Sequence, residues 1–162
     1  MSAVKTRDAQ DTRALAAALA GAAREGDRLA LIGSLGAGKT QFAKGFAVGL
    51  GIDEVVNSPT FTLMAEYRGR LPLFHLDLYR LAGPEDAWAS GLLDERTASG
   101  VTLIEWAGRL GERLLADALV VRLTVLPDDC RLVELLAQTP GHDRYLEAAR
   151  EWETMDRGTP IP

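Results

Sequence analysis

The sequence predicts an α/β fold: a mixed sheet with a parallel core and added antiparallel strands, flanked by helices. Three observations carry this. The apolar run Arg28–Ile32 leads through GSLGAGKT (Gly33–Thr40) into QFAKGF, the order strand, glycine loop, helix. A second apolar run without Pro or Gly, Val101–Ile104, reads as a strand buried on both faces. Two further pairs of apolar runs are each joined by a short turn, the mark of β-hairpins.

Taken in order, the N-terminus MSAVKTRDAQ is polar and has no apolar h-region, which speaks against secretion. Residues 9–24, AQDTRALAAALAGAAR, set Leu15, Ala18, Leu19 and Ala22 on one face of an alanine-rich amphipathic helix. Asp8 or Asp11 can cap it, and Gly26 stands near its end. After the strand 28–32 and the glycine loop, a helix runs from about Lys39 to Leu50, with Gly51 just past its end. Phe61–Tyr67 and Leu71–Leu76 flank Arg68-Gly69-Arg70 as one hairpin. Gly83-Pro84-Glu85-Asp86 opens a short helix, with Pro and acids where a first turn favours them. The strand Val101–Ile104 ends at Glu105-Trp106, and Gly108–Ala116 reads as a helix. Leu119–Leu126 and Arg131–Gln138 flank Pro-Asp-Asp as the second hairpin. A terminal helix is expected over 142–154, giving one domain over 1–156 and a flexible tail over 157–162.

Composition bounds the function. At 162 residues, 47% hydrophobic and 25% charged, the chain suits one domain with one core. No apolar run approaches the ~20 residues of a membrane span. A single cysteine, Cys130, rules out an internal disulfide or a thiolate zinc cluster and is expected as a small, partly buried thiol. These features fit a cytoplasmic protein. The net charge of −5 and pI near 5.1 speak against a broad basic face for nucleic acid. Any nucleic-acid contact is expected to run mostly through a partner.

The chemistry begins at the loop. G-x-x-x-x-G-K-T between a strand and a helix is a phosphate-binding P-loop. Gly33, Gly36 and Gly38 let successive N–H groups converge on phosphate oxygens, and the following helix adds its N-terminal dipole. The residues expected against nucleotide are Ser34, Leu35, Gly36, Ala37, Gly38, Lys39, Thr40 and Gln41. Lys39 faces the β/γ-phosphates, and the Thr40 hydroxyl holds Mg²⁺. A loop of this kind needs an acid at the end of a neighbouring strand. Asp77 and Glu105 both qualify. Pro72 and the preceding turn make the Asp77 strand look like a hairpin arm, hence less central. Glu105 is therefore the expected Mg²⁺-side acid, with Asp77 a second acid that positions the attacking water or the metal. Lys39, Asp77 and Glu105 form the expected catalytic set, and Thr40 and Glu105 the metal set.

Asn57-Ser58-Pro59-Thr60-Phe61 lies where P-loop switches sense the γ-phosphate, and reads equally as an ordinary turn. The absence of N-K-x-D and D-x-x-G speaks against a Ras-like GTPase. Trp106 stands where a fast motor ATPase carries a second acid, so slow intrinsic turnover is expected. No Arg-rich lid follows Glu105, which weakens a small-molecule or nucleoside kinase, the main alternative. His75 is expected as a packed or hydrogen-bonded strand residue, His142 as exposed, and Trp88 and Trp152 as packing residues.

The series GSLGAGKT, V-x-SPTF (Val56 to Phe61), Glu66-Tyr67, H-x-DLYR (His75 to Arg80) and IEW (Ile104 to Trp106) resembles the TsaE (YjeE) family over roughly residues 9–138. The resemblance implies a bacterial P-loop ATPase, using ATP and Mg²⁺, in the synthesis of threonylcarbamoyladenosine in tRNA. It implies a TsaD–TsaB type complex as partner, reset between turnovers by ATP hydrolysis. It also implies that Thr60 belongs to a switch-like segment and that Asp77 and Trp106 are functionally important. Thr12 and Arg131 are placed near the nucleoside. The family commonly continues EW with Pro and an acid, where this chain has Ala107-Gly108-Arg109.

Overall fold

A computed structural model describes residues 1–57, 64–78, 98–106 and 116–156 of the chain. Seven strands form one mixed sheet: β1 (Ser2–Thr6), β2 (Arg28–Ile32), β3 (Met64–Arg68), β4 (Pro72–Asp77), β5 (Val101–Glu105), β6 (Leu119–Val125) and β7 (Arg131–Leu136). Their order is β1-β7-β6-β2-β5-β4-β3. The core is parallel, with β2 between β5 and β6 and β4 against β5. The antiparallel additions are the hairpins β3–β4 and β6–β7, and β1 pairing with β7. The helices are α1 (Ala9–Ala20), α2 (Lys39–Gly49) and α3 (Asp143–Asp156), the last preceded by a 3₁₀ turn at Pro140–His142. The expected mixed sheet is therefore present, with both hairpins in place.

Alternation along the strands makes two faces. Leu29, Leu31, Leu73, Leu103, Leu119, Val121, Val133 and Leu135 pack against α1, α2 and α3. The residues one step along, Ala30, Phe74, Leu76 and Ile104, form a second cluster with Leu78 and Ala118. A one-residue slip would exchange the two sets, so burial on both faces sets the register. α1 starts at the Asp8 cap, whose carboxylate accepts the Asp11 N–H at 2.8 Å, and it ends four residues earlier than its alanine pattern suggests. α2 approaches α1 so closely that a Cβ on Gly45 would lie 2.1 Å from the Arg13 carbonyl oxygen. Gly51 follows α2 with φ 78, the left-handed conformation that favours glycine.

One expectation is corrected, that of His142, and two features were not foreseen. The polar N-terminus is a strand, β1, in which only Val4 and Thr6 are buried. His142 is buried, at 6% exposure, beside the Tyr145 ring, and not exposed. β4 is at once a hairpin arm and a parallel neighbour of β5, and its residues from Leu73 to Asp77 are all buried. Pro72 is tolerated because it is the first residue of that strand. Thr60 and the rest of Ser58–Phe61, Tyr79-Arg80, the helix expected at Gly83, Trp88, the helix expected from Gly108 (up to residue 115) and the tail 157–162 lie outside the described residues. Trp152 packs into the core, as expected, and Cys130 is partly buried.

Candidate functional site

Strands β2, β4 and β5 run parallel and finish at one edge of the sheet. Leu31 pairs with Glu105, and Glu105 with Asp77, so the glycine loop leaves β2 level with both acids. Asp77 is level with Glu105 along the strands but one strand farther from the loop, since β5 lies between β4 and β2. Glu105 keeps the nearer place that its strand predicted.

The loop is shaped by its glycines, in two ways. Gly36 has φ 81 and Gly38, which caps α2, has φ 109; both conformations disfavour other residues. Gly33 is needed for another reason: a Cβ there would lie 2.7 Å from the Leu123 carbonyl oxygen. The first N–H groups of α2 have no partners within the helix, and its dipole adds positive potential, a ready anion site.

Lys39 starts α2 and is buried. Its Nζ donates to the carbonyls of Gly33 at 2.6 Å and Ser34 at 3.0 Å and stands 4.0 Å from the centre of the Trp106 ring. Burial lowers the Lys39 pKa from its ordinary value, and the nearby carboxylates of Glu105 and Asp77 oppose that shift. Trp106 itself has φ 60, a conformation that a non-glycine residue holds at a cost of ~1–3 kcal/mol. That turn aims the indole back across the end of β5 toward the lysine.

Thr40 Oγ1 donates to Glu105 Oε1 at 3.2 Å. The other oxygen, Glu105 Oε2, accepts from His75 Nε2 at 2.5 Å. Among the described residues no three His, Cys, Asp or Glu side chains gather into a metal-ligating group. The Thr40–Glu105 pair instead offers one hydroxyl and one carboxylate, both hard oxygen donors. That set fits Mg²⁺, which takes one or two protein ligands and completes its shell with water and phosphate oxygens.

Beside the loop lies a cavity of about 280 Å³ lined by Arg7, Asp8, Ala9, Thr12, Gly36, Gly38, Gln41, Asp129 and Arg131. Thr12 is buried, and its hydroxyl is 2.7 Å from that of Thr6. Gln41 Oε1 accepts from Arg13 at 2.5 Å. Arg131 donates to the carbonyls of Ala37 at 3.1 Å and Gly36 at 3.2 Å, bracing the loop from the β6–β7 hairpin. Ser34 meets Lys39 through its carbonyl, while the Leu35 side chain is exposed.

The structure thus gathers Lys39, Thr40, Asp77, Glu105 and Trp106 at one sheet edge and lines a neighbouring cavity with Thr12, Gly36, Gly38, Gln41 and Arg131. The sequence reading missed Arg7, Asp8 and Asp129 in the cavity wall. It also missed the partner of His75. Neither has a local signal, since each depends on segments far apart in the chain.

A family model described as "Threonylcarbamoyl adenosine biosynthesis protein TsaE" matches residues 6–133. The tRNA threonylcarbamoyladenosine biosynthesis protein TsaE of Treponema pallidum (strain Nichols) is 44% identical over 126 residues, 78% of this chain and 93% of that protein. The Bacillus subtilis (strain 168) protein of the same name is 43% identical over 134 residues, 82% of this chain and 84% of that one. The crystal structure of Bacillus subtilis YdiB superposes with a TM-score of 0.72 at 38% identity, covering 95% of each chain. With a matching family model over most of its length, relatives above 40% identity and a shared P-loop sheet, the chain belongs to the TsaE family of threonylcarbamoyladenosine biosynthesis proteins.

Proposed function

We propose that this protein binds and hydrolyses ATP to drive the cycle of a TsaD–TsaB type complex that makes N6-threonylcarbamoyladenosine at position 37 of tRNA. The observation that carries the reading is the meeting of buried Lys39 and Glu105 with half-buried Thr40 at a glycine loop that opens a helix. The N–H groups of Gly36 to Gln41 take the phosphates. Lys39 exchanges its loop carbonyls for phosphate oxygens; its ammonium then offsets the charge that builds on the leaving group. Thr40 and Glu105 would hold Mg²⁺, which would neutralise phosphate charge when bound. Asp77, level with Glu105, orients the attacking water. Trp106 screens the Lys39 side of the site from solvent. Thr12 and Arg131 border the cavity that receives the nucleoside, and the SPTF segment carrying Thr60 responds to the γ-phosphate. The protein works in the cytoplasm, and tRNA reaches it only through its partners.

The test is ATP turnover with and without the cognate TsaD–TsaB pair. Slow phosphate release that rises on addition of the pair is the expected result. Equal, negligible turnover in both conditions, with no complex formed, would sink the reading. Stoichiometric phosphate transfer to an acceptor, in place of release to water, would replace it with a kinase.

A further inference from the structure

We propose that His75 is a positioning residue: by holding one oxygen of the Glu105 carboxylate it presents the other to Thr40 and to the Mg²⁺ that this pair holds. The inference rests on the ATPase reading above.

His75 lies in β4, fully buried, two residues before Asp77 and on the same face of the sheet. Its cross-strand partner in β5 is Leu103, and Glu105 stands opposite Asp77, so the imidazole reaches Glu105 along a diagonal. There Nε2 meets Glu105 Oε2 at 2.5 Å. A carboxylate only accepts, so Nε2 carries the proton and donates it. The other ring nitrogen, Nδ1, has no hydrogen-bond partner among the described residues. A buried polar atom without a partner is costly. Leu73, on the same face, and Leu103, directly across, are apolar, and an apolar side chain at position 75 would avoid that cost. The return on burying an imidazole here is one bond, to Oε2. Glu105 is thereby held at both ends, by His75 on Oε2 and by Thr40 on Oε1. A carboxylate held at its far oxygen cannot swing away from a cation at the near one. Groups that orient a metal ligand in this way are typically worth ~10–100-fold in metal affinity.

The test compares the wild type with His75→Asn and His75→Gln in the full chain. A non-hydrolysable ATP analogue is titrated calorimetrically over a series of Mg²⁺ concentrations and in EDTA. Gln carries its amide nitrogen out to about where Nε2 sits, and Asn falls short. The expected result is an apparent Mg²⁺ affinity weakened ~10–100-fold in His75→Asn, unchanged binding in EDTA, and recovery of most of the loss in His75→Gln. Wild-type Mg²⁺ dependence in His75→Asn overturns the inference. So does an equal loss in both variants in EDTA, which marks a packing role. Thermal melting checks that each variant folds. If His75→Asn does not fold, His75→Leu, which removes the bond and leaves an apolar side chain beside Leu73 and Leu103, takes its place: weakened Mg²⁺ dependence with unchanged binding in EDTA supports the inference, and wild-type Mg²⁺ dependence overturns it. Wild-type protein that binds no nucleotide would overturn the proposed function, and this inference with it. Mg²⁺-dependent wild-type binding beside an indifferent His75→Asn overturns this inference alone.

Discussion

Two clusters of charge among the described residues are built to opposite ends. One is the loop edge, where Lys39, Asp77 and Glu105 are buried together. The other lies where α3 meets the turn before β2. There Asp27 Oδ2 accepts from the Arg144 guanidinium, the Tyr145 hydroxyl and the Arg24 N–H, and Arg144 Nε donates to the Ala22 carbonyl. At the α3 latch each group faces a partner of fixed geometry, and the ring of Tyr145 seals the cluster. Burial and the Asp27 carboxylate push the Tyr145 hydroxyl far above its ordinary pKa, so it stays a donor at any working pH. At the loop edge the lysine's hydrogen bonds run to backbone carbonyls of the loop it belongs to, at a helix N-terminus with a cavity beside the loop. A cluster of ions is therefore not a site in itself. What distinguishes the loop edge is that its charges stand at the N-terminus of α2, where unpaired N–H groups favour an anion. The α3 half of the latch, Arg144 and Tyr145, lies past residue 133, where the family model ends.

Variants can break or sharpen this contrast. The largest effect is expected for Lys39→Ala, with turnover down ~10²–10³-fold and a melting temperature close to wild type. Unchanged phosphate release would remove Lys39 from the mechanism. Asp27→Ala should do the reverse. It leaves the Arg144 guanidinium and Tyr145 hydroxyl without their acceptor, and urea denaturation should show a loss of about 3 kcal/mol. Turnover by the folded protein should not change; a fall in turnover without a loss of stability would erase the contrast. Tyr145→Phe keeps the Arg144–Asp27 pair and should cost about 1 kcal/mol in the same experiment.

The smallest effect concerns pH. His142 lies beside Tyr145 at the latch, and burial holds its pKa below the ordinary histidine value, with Arg144 adding to the shift and Asp27 and Asp143 opposing it. The unfolded chain therefore takes up the proton first. Stability is full above about pH 6.5 and declines as pH falls from there toward the lowered folded value. Melting curves between pH 7.5 and pH 5.5 should show a steeper acid loss for wild type than for His142→Gln. Parallel curves would mean that His142 does not report on the latch.

Much of this was legible from residues alone. The glycine loop announced itself because Gly36, Gly38, Lys39 and Thr40 act through spacing along one short segment. Both hairpins were marked by turn residues between apolar runs. The acids stood at the ends of recognisable strands. β1 was not legible, because an edge strand that buries two residues of five carries too little alternation to register. His142 was misread because a polar residue in a polar stretch gives no sign that a helix will fold back over it. The Asp77 strand was legible as a hairpin arm, but its parallel pairing with β5 was not, because that partner lies far along the chain.

The sequence by itself determined the phosphate loop, the alternating strands and the identity of the acids, since each depends on residues within a few positions of one another. Only the tertiary structure decided which of them meet. Thr40 and Glu105 are 65 residues apart, His75 and Glu105 are 30 apart, and Arg131 reaches the loop from 94 residues away. These contacts follow from strand order and register, β4 beside β5 beside β2 with Asp77, Glu105 and Leu31 in step. Strand order is settled by burying both faces of the whole sheet at once. No local period encodes that.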